Sequence, residues 1–272
     1  MRLERLVLTP LRAAQGRRQR RAAGEPRIAG VLAVRDYDPT CGVLDALRAL
    51  ADVVIVLDDG STAPLRRDDR IDELVRLERR GGWNDAANRL LLLQRAFVHG
   101  CGWLVCLDDD LIPSAGLRTR DDAAREIDAL RRRRADVGRV PVRDLWESAD
   151  RFRVDGVWGR KSYPLLRRNW LADGSITLPD PARRLHAPVF PRNLRARAVV
   201  LDHLAVYHTG CLTHEDRAAR VERYARADPR NEFQRDYAYM LDERGLALAP
   251  VPAADAPLLA ALRRDAGERD AS

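Results

Sequence analysis

Leu107-Asp108-Asp109-Asp110-Leu111 sets three carboxylates in a row at the end of an apolar run, Gly102-Trp103-Leu104-Val105-Cys106-Leu107. Clustered carboxylates repel one another, and burial adds to the cost. A divalent cation removes it. In an extended chain, side chains two apart project to the same side, so Asp108 and Asp110 are expected to grip one hard cation. Mg2+ and Mn2+ take such oxygen ligands and share them with substrate phosphates. A second acidic turn, Asp58-Asp59-Gly60-Ser61-Thr62, follows another apolar run, Val53-Val54-Ile55-Val56-Leu57. Read alone it is an Asx-type turn. Two such turns in one parallel sheet would converge outside the strands' carboxyl ends, where open α/β sheets bind ligands. A carboxylate placed there accepts hydrogen bonds from a ribose or a base.

The elements that must hold these turns show in the hydrophobic pattern. Residues 28–34 read as a buried strand. Residues 39–51 read as a helix with Val43, Leu44, Leu47 and Leu50 on one face. A third strand is expected over 71–77. Gly81-Gly82-Trp83-Asn84 opens a helix to about His99, with Leu90, Leu93, Ala96 and Phe97 inward. The run before the three aspartates is the fourth strand. Strand, helix, strand, strand, helix, strand is the order of a mostly parallel sheet. Another helix is expected over 121–134. Strand-like but irregular pattern follows through Val140, Val142, Phe152, Val154 and Val157. Residues 199–207 read as one apolar strand, Thr213 starts a helix to about Ala227, and 232–243 reads as the last helix. The tail from Pro250 is rich in alanine and proline and is expected to fray.

A chain of 272 residues is long enough for one domain with a substantial core, plus appendages. No apolar run approaches the roughly 20 residues that cross a bilayer. Residues 1–26 lack the unbroken apolar stretch of a signal peptide. A cytoplasmic protein is expected. The net charge of +7 raises the question of nucleic acid. Nearly all the positive charge is arginine, with Lys161 the single lysine. Aromatic residues make up 6% of the chain and do not interleave with the basic clusters, as a base-stacking surface requires. Nucleic-acid binding is therefore not expected. The basic leader, with Arg17, Arg18, Arg20 and Arg21, reads as a solvated arm. Its alternative is peripheral contact with the anionic inner face of a membrane. Cys41, Cys101, Cys106 and Cys211 form no CxxC pair and read as buried free thiols.

These motifs resemble a known family. Val56-Leu57-Asp58-Asp59-Gly60-Ser61-Thr62 resembles the nucleotide-binding turn of family 2 glycosyltransferases, which have the GT-A fold. Leu107-Asp108-Asp109-Asp110 resembles their DXD metal motif. Gly82-Trp83-Asn84-Asp85-Ala86-Ala87-Asn88-Arg89 is similar to the glycine- and asparagine-containing segment between them. The resemblance covers residues 27–113. It is weaker beyond, where Phe152–Gly159 and Tyr207-His208-Thr209-Gly210, followed by Glu215-Asp216-Arg217, still look like bacterial members.

The resemblance implies a Rossmann-like α/β domain over 27–212, its mostly parallel sheet flanked by helices. Its nucleotide-binding half would be 27–113 and its acceptor half 114–212. Helices over 213–249 would form a C-terminal extension, before a disordered tail over 250–272. It implies inverting transfer from a nucleotide-diphosphate sugar to a hydroxyl of a glycan, a lipid-linked or a small-molecule acceptor. The processive synthases' Gln-x-x-Arg-Trp motif is missing, so one sugar is expected to move at a time. By resemblance Asp59 contacts the nucleobase or ribose, with Asp58 and Asn88 beside it. Trp83 either lines that pocket or packs in the core. Asp108 and Asp110 hold Mn2+ or Mg2+, joined by His208, and Asp109 orients sugar hydroxyls. The ion offsets charge on the leaving nucleotide.

Inversion needs a general base. Asp155 is the preferred candidate, with Asp180 and the Glu215-Asp216 pair as alternatives. Thr213-x-x-Asp216 also reads as a helix capping box. Arg160 and Lys161 either neutralise phosphate or are solvated. Two other readings compete: a non-catalytic scaffold of the same fold, and a metal-dependent nucleotidyltransferase. Against the second, the first strand leads into Arg35-Asp36-Tyr37-Asp38-Pro39 instead of a glycine- and arginine-rich loop.

Overall fold

The computed structural model describes residues 26–37, 42–79, 83–157, 161–173, 196–232 and 236–260. The basic leader, Cys41, Gly81, Gly82, Trp158, Gly159, Arg160, Asp180 and the tail beyond 260 lie outside the described residues. The elements run in chain order as β1 (Ile28–Val34), α1 (Val43–Leu50), β2 (Val53–Asp58), β3 (Glu73–Arg76), α2 (Asp85–Val98), β4 (Trp103–Cys106), β5 (Leu111–Pro113), α3 (Arg120–Arg132), β6 (Val137–Asp144), β7 (Arg151–Arg153), β8 (Ser162–Arg168), β9 (Ala198–Val200), β10 (Val206–His208), α4 (His214–Ala227) and β11 (Leu248–Pro250).

The fold is mixed α/β, a curled Rossmann-like sheet with helices on its faces. Strands β3-β2-β1-β4 pair in parallel. Both faces of this part are covered, which is why its strands read as continuous apolar runs. Ile28, Leu32, Val54, Val56 and Val105 join a core with Leu44 and Leu47 of α1 and Ile127 and Leu130 of α3. The alternate residues Ala29, Val31, Ile55, Leu57 and Leu104 pack with Leu90, Leu93 and Phe97 of α2. The described part of α1 starts after Gly42, whose φ of 67° is a left-handed entry. Asn84 caps α2 by accepting the Ala87 N–H at 3.0 Å.

Beyond β4 the sheet turns mixed. Strand β8 lies antiparallel between β4 and β6. Sequence pattern missed it, because it carries Pro164 and is polar at both ends. Pro164 falls where the β6–β8 register shifts, the kind of irregularity that admits proline into a sheet. Arg167 is buried and donates to Cys106 Sγ at 2.9 Å.

The single strand expected over 199–207 is instead two. Strands β9 and β10 both run parallel to β6, at 137–139 and at 142–144. A turn closed by Leu204 N–H on the Leu201 carbonyl, 3.1 Å, separates them. Strand β5 pairs antiparallel with β10, and β7 with β11 forms a separate ribbon.

The C-terminal part departs furthest from expectation. Helix α4 forms as read, with the Thr213–Asp216 capping box in place. The helix expected over 232–243 is reduced, among the described residues, to one 3-10 turn at Ala238–Leu241. Asp228 explains this: it accepts the Glu232 N–H at 2.7 Å and the Tyr237 hydroxyl at 2.9 Å, folding the segment back on α4. Nor does the chain fray from Pro250 to Ala260. Val251 and Leu259 pack with Leu145, Ala149 and Tyr207. Asp255 takes the Tyr207 hydroxyl at 2.5 Å and the Ala115 N–H at 2.6 Å. Cys101, Cys106 and Cys211 are buried free thiols, as expected. Among the described residues no helix is long and apolar enough to cross a membrane.

Candidate active site

Strands β1, β2, β4, β6 and β10 point the same way. Both β4 and β6 are antiparallel to β8, and β10 is parallel to β6. Their carboxyl ends therefore share one edge of the sheet. Arg35 follows β1, Asp58 ends β2, Asp108–Asp110 follow β4, Asp144 ends β6 and His208 ends β10. Val34 is in register with Asp58, and His208 with both Asp144 and Leu111.

The first acidic turn is closed upon itself. Asp58 is fully buried and accepts Ser61 N–H at 2.8 Å, Leu65 N–H at 3.2 Å and Arg76 Nη1 at 2.9 Å. Gly60 has a φ of 76°, and a Cβ there would collide with the Arg79 backbone. Glycine is thus required twice over, by conformation and by space. Asp59 is also fully buried. Its Oδ2 accepts Arg35 Nη2 at 2.8 Å and Asn88 Nδ2 at 3.1 Å. Arg35 Nε also donates to the Asp59 carbonyl at 2.8 Å. The Arg35 guanidinium lies 5.6 Å from the centroid of the half-buried Trp83 ring. Asn88 therefore positions Asp59, and Trp83 stands on this turn through Arg35.

The second acidic turn is different. The expectation that Asp108 and Asp110 project together rested on an extended chain. Residues 108–111 instead form a turn, with the Leu111 N–H on the Asp108 carbonyl at 3.2 Å, and the two carboxylates take different partners, although the charge of Asp110 still acts on Asp108. Asp108 meets the Tyr163 hydroxyl and the charge of Arg89, which also donates Nε to Asp85 at 2.7 Å. Burial, with Asp110 and Asp85 nearby, still drives the Asp108 carboxyl above its ordinary range. Burial, then Asp110 and Asp108, push Asp109 up to about 6. Helix α2 serves both turns with adjacent residues: Asn88 reaches Asp59, and Arg89 reaches toward Asp108.

Asp110 is carried to His208 by the backbone. The Thr209 N–H donates to the Asp110 carbonyl at 2.9 Å. His208 Nε2 then lies 3.1 Å from Asp110 Oδ2, and His208 Nδ1 lies 2.7 Å from Asp144 Oδ1. Arg220, from α4, pairs with the same Asp110 oxygen, and its Nη1 lies 3.0 Å from His208 Nε2. Burial opposes the charge on Asp110, but His208 and then Arg220 outweigh it and hold the carboxyl well below the usual range. Burial likewise opposes the imidazolium, but Asp110 raises His208 to about 9. A Cβ on Gly210 would strike both Arg220 and Asp110 Oδ2, so the glycine keeps this contact open.

The donor set can be tested against a cation. Among the described residues no three His, Cys, Asp or Glu side chains gather as a complete ligand group. Asp110 and His208 supply two converging atoms. His208 is backed through Nδ1 by a carboxylate, the arrangement that orients metal-binding histidines. An Mg2+ or Mn2+ that shares a diphosphate and waters needs only one or two protein ligands. The pair fits that role, with Asp108 nearby on Tyr163 and Arg89.

The expected base does not stand free. Asp155 accepts Arg153 Nε at 2.7 Å, Val157 N–H at 2.9 Å and Ala247 N–H at 3.4 Å. Burial opposes its charge, yet these donors hold its carboxyl below the ordinary value. It is a turn cap that joins the β7 end to residue 247, a poor proton acceptor. Asp216 is held by the capping box, and Glu215 is exposed. Lys161 lies 5.9 Å from the centroid of the Tyr239 ring and within the field of Asp144.

Sequence reading missed Arg35, Asp85, Arg89, Asp144, Tyr163 and Arg220 as site residues. Asp144 had a usable signal, as an acid closing an alternating strand. The arginines had none in so arginine-rich a chain.

No protein-family model matches the chain, and no curated protein matches it. Solved structures show weak backbone similarity, the following two among them. The crystal structure of a Mycobacterium tuberculosis rv0371c homolog from Mycobacterium sp. strain JC1 is 16% identical, covers 74% of this chain and 98% of that one, and has a TM-score of 0.36. The crystal structure of mannose-1-phosphate geranyltransferase from Thermus thermophilus is 14% identical, covers 59% of this chain and 52% of that one, and has a TM-score of 0.27. Similarity at that level bears on neither ligand nor reaction.

Proposed function

We infer that the chain is a metal-dependent glycosyltransferase of the GT-A type, moving one sugar from a nucleotide-diphosphate sugar to an acceptor hydroxyl. One observation carries this reading: two acidic turns and the Asp144–His208 pair share one edge of a Rossmann-like sheet. The rigid, buried Asp59 with Arg35 and Trp83 suits recognition of a nucleoside. The Asp110–His208 pair suits Mg2+ or Mn2+ shared with a diphosphate.

A bound cation would supply Lewis-acid stabilisation of the leaving nucleoside diphosphate. The chain's own groups do the positioning. Asp144 fixes the His208 ring so that Nε2 faces Asp110. Tyr163 and Arg89 hold Asp108. Asp109, half-buried beside them, is placed to meet sugar hydroxyls. Inversion follows from the family resemblance, and single transfer from the missing Gln-x-x-Arg-Trp motif of the processive synthases. The acceptor class extends to a glycan, a lipid-linked or a small-molecule hydroxyl.

The test is product chemistry. The chain is incubated with Mn2+ and a panel of nucleotide-diphosphate sugars, and nucleotides are separated by ion exchange. Release of free nucleoside diphosphate that EDTA stops supports the reading. Reaction of pyrophosphate with the donor to give a nucleoside triphosphate would move the chain to the nucleotidyltransferases. Absence of turnover and of donor binding across the panel would leave the scaffold reading standing.

A further inference from the structure

Arg220 holds the position that the cation would take. Its two Nη atoms meet Asp110 Oδ2 and His208 Nε2, the same two atoms assigned above as protein ligands. A guanidinium only donates hydrogen bonds. With Nη1 at 3.0 Å from His208 Nε2 and Nη2 on Asp110 Oδ2, an ion cannot approach those two atoms together while Arg220 is in place. The approach is close on the Gly210 side, where not even a Cβ would fit beside the Arg220–Asp110 contact. Arg220 is anchored on α4, with its guanidinium 5.9 Å from the centroid of the Tyr224 ring. Its side chain is 15% exposed and that of Asp110 18%, so the pair is sheltered from solvent but open at one side.

We propose that Arg220 is a resident cation that a divalent metal ion displaces from Asp110 and His208, the two occupying the position alternately. The proposal rests on the metal assignment made under the proposed function. Without some cation, Asp110 would be a largely buried carboxylate facing Asp109 and Asp108, which is costly. Arg220, together with His208, meets that need while no metal is bound. Metal binding then competes against an ion pair already formed, so the site's affinity for the metal alone is set partly by Arg220.

The experiment is a titration of the full chain with Mn2+ alone, followed by electron paramagnetic resonance of free Mn2+, in wild type, Arg220→Gln and Arg220→Lys. Arg220→Gln is expected to bind Mn2+ at least about tenfold more tightly, the scale of one charge-assisted hydrogen bond. Arg220→Lys, whose single ammonium holds both atoms less well than a planar fork, is expected to fall between. It carries the test if the glutamine variant fails to fold. A thermal melt adds a second readout: Mn2+ should raise the midpoint of Arg220→Gln more than that of wild type. Equal or weaker Mn2+ affinity in the folded variants would overturn the competition and leave the metal assignment standing. Failure of Mn2+ to bind any of the three folded proteins would overturn both.

Discussion

The two acidic turns end strands on either side of β1, are built from the same residue, and are treated in opposite ways. Asp58 and Asp59 are met on every side by the chain's own donors: the Ser61 and Leu65 N–H groups, Arg76, Arg35 and Asn88. Asp108, Asp109 and Asp110, with Asp85 and Asp144 close by, face Arg89, Arg220 and the imidazolium of His208. Two of those acids are driven upward in pKa by burial and mutual repulsion. A turn whose charge is matched internally is fixed by its own hydrogen bonds. A turn left with surplus negative charge has capacity for a cation from outside.

The contrast can be broken by substitution, and the largest effect should fall on turnover. Asp110→Asn is expected to lower metal-dependent donor turnover by about 100- to 1,000-fold, as removal of one transition-state-stabilising group does elsewhere. In EDTA, Asp109→Asn should hold or raise the thermal midpoint, because it removes a carboxylate that burial and its acidic neighbours disfavour, unlike a variant in the first turn. That variant, Asp58→Ala, strands two buried N–H groups and should cost about 3 kcal/mol or more by urea unfolding. If the two variants lost stability equally, the turns would not differ in kind.

The first turn and its supports were legible in the sequence. Strands β1, β2 and β4 announce themselves as apolar runs because helices cover both faces, and α1 and α2 show their inward stripes. The second turn was legible as a motif but not as a geometry. The pattern reads as an extended chain at 108–110, where the structure has a turn, and Asp108 and Asp110 take different partners. Arg220 reaches Asp110 across 110 positions, and no local pattern marks one arginine among so many. The region after β6 was hardest. Trp146 there is buried between two guanidinium groups, Arg217 at 3.8 Å and Arg153 at 4.4 Å from its ring centroid. Arg217 is itself fully buried and pairs with Glu147 and Glu243. Core built from charged and aromatic residues has no hydrophobic period to read.

A smaller effect tests the reassignment of Asp155. Asp155→Asn should cost about 1–2 kcal/mol, the scale of a charge-assisted hydrogen bond, and leave the pH profile of turnover unchanged. A lost acidic limb in that profile would restore it as the base.

The last test is a slope. His208 titrates near 9 in the folded protein against an ordinary 6.5. Its contribution to stability is therefore fully present below pH 6.5 and lost as pH rises through about 9. Asp109 works in the opposite sense to a paired carboxylate: with its pKa raised from 3.8 to about 6, it costs stability as pH rises across that window. Urea unfolding in EDTA should show His208→Gln flattening the decline between 6.5 and 9. An unchanged slope would mean that the imidazolium is not held by Asp110.

The most direct measurement is the anomalous signal of manganese in a crystal grown with Mn2+ and a nucleotide-diphosphate sugar. A peak at ligating distance from Asp110 and His208, with the diphosphate on the same ion and Arg220 moved off Asp110, is the predicted result. A donor bound at the sheet edge with no ion there, or an ion held by other residues while Arg220 keeps its place, would contradict it.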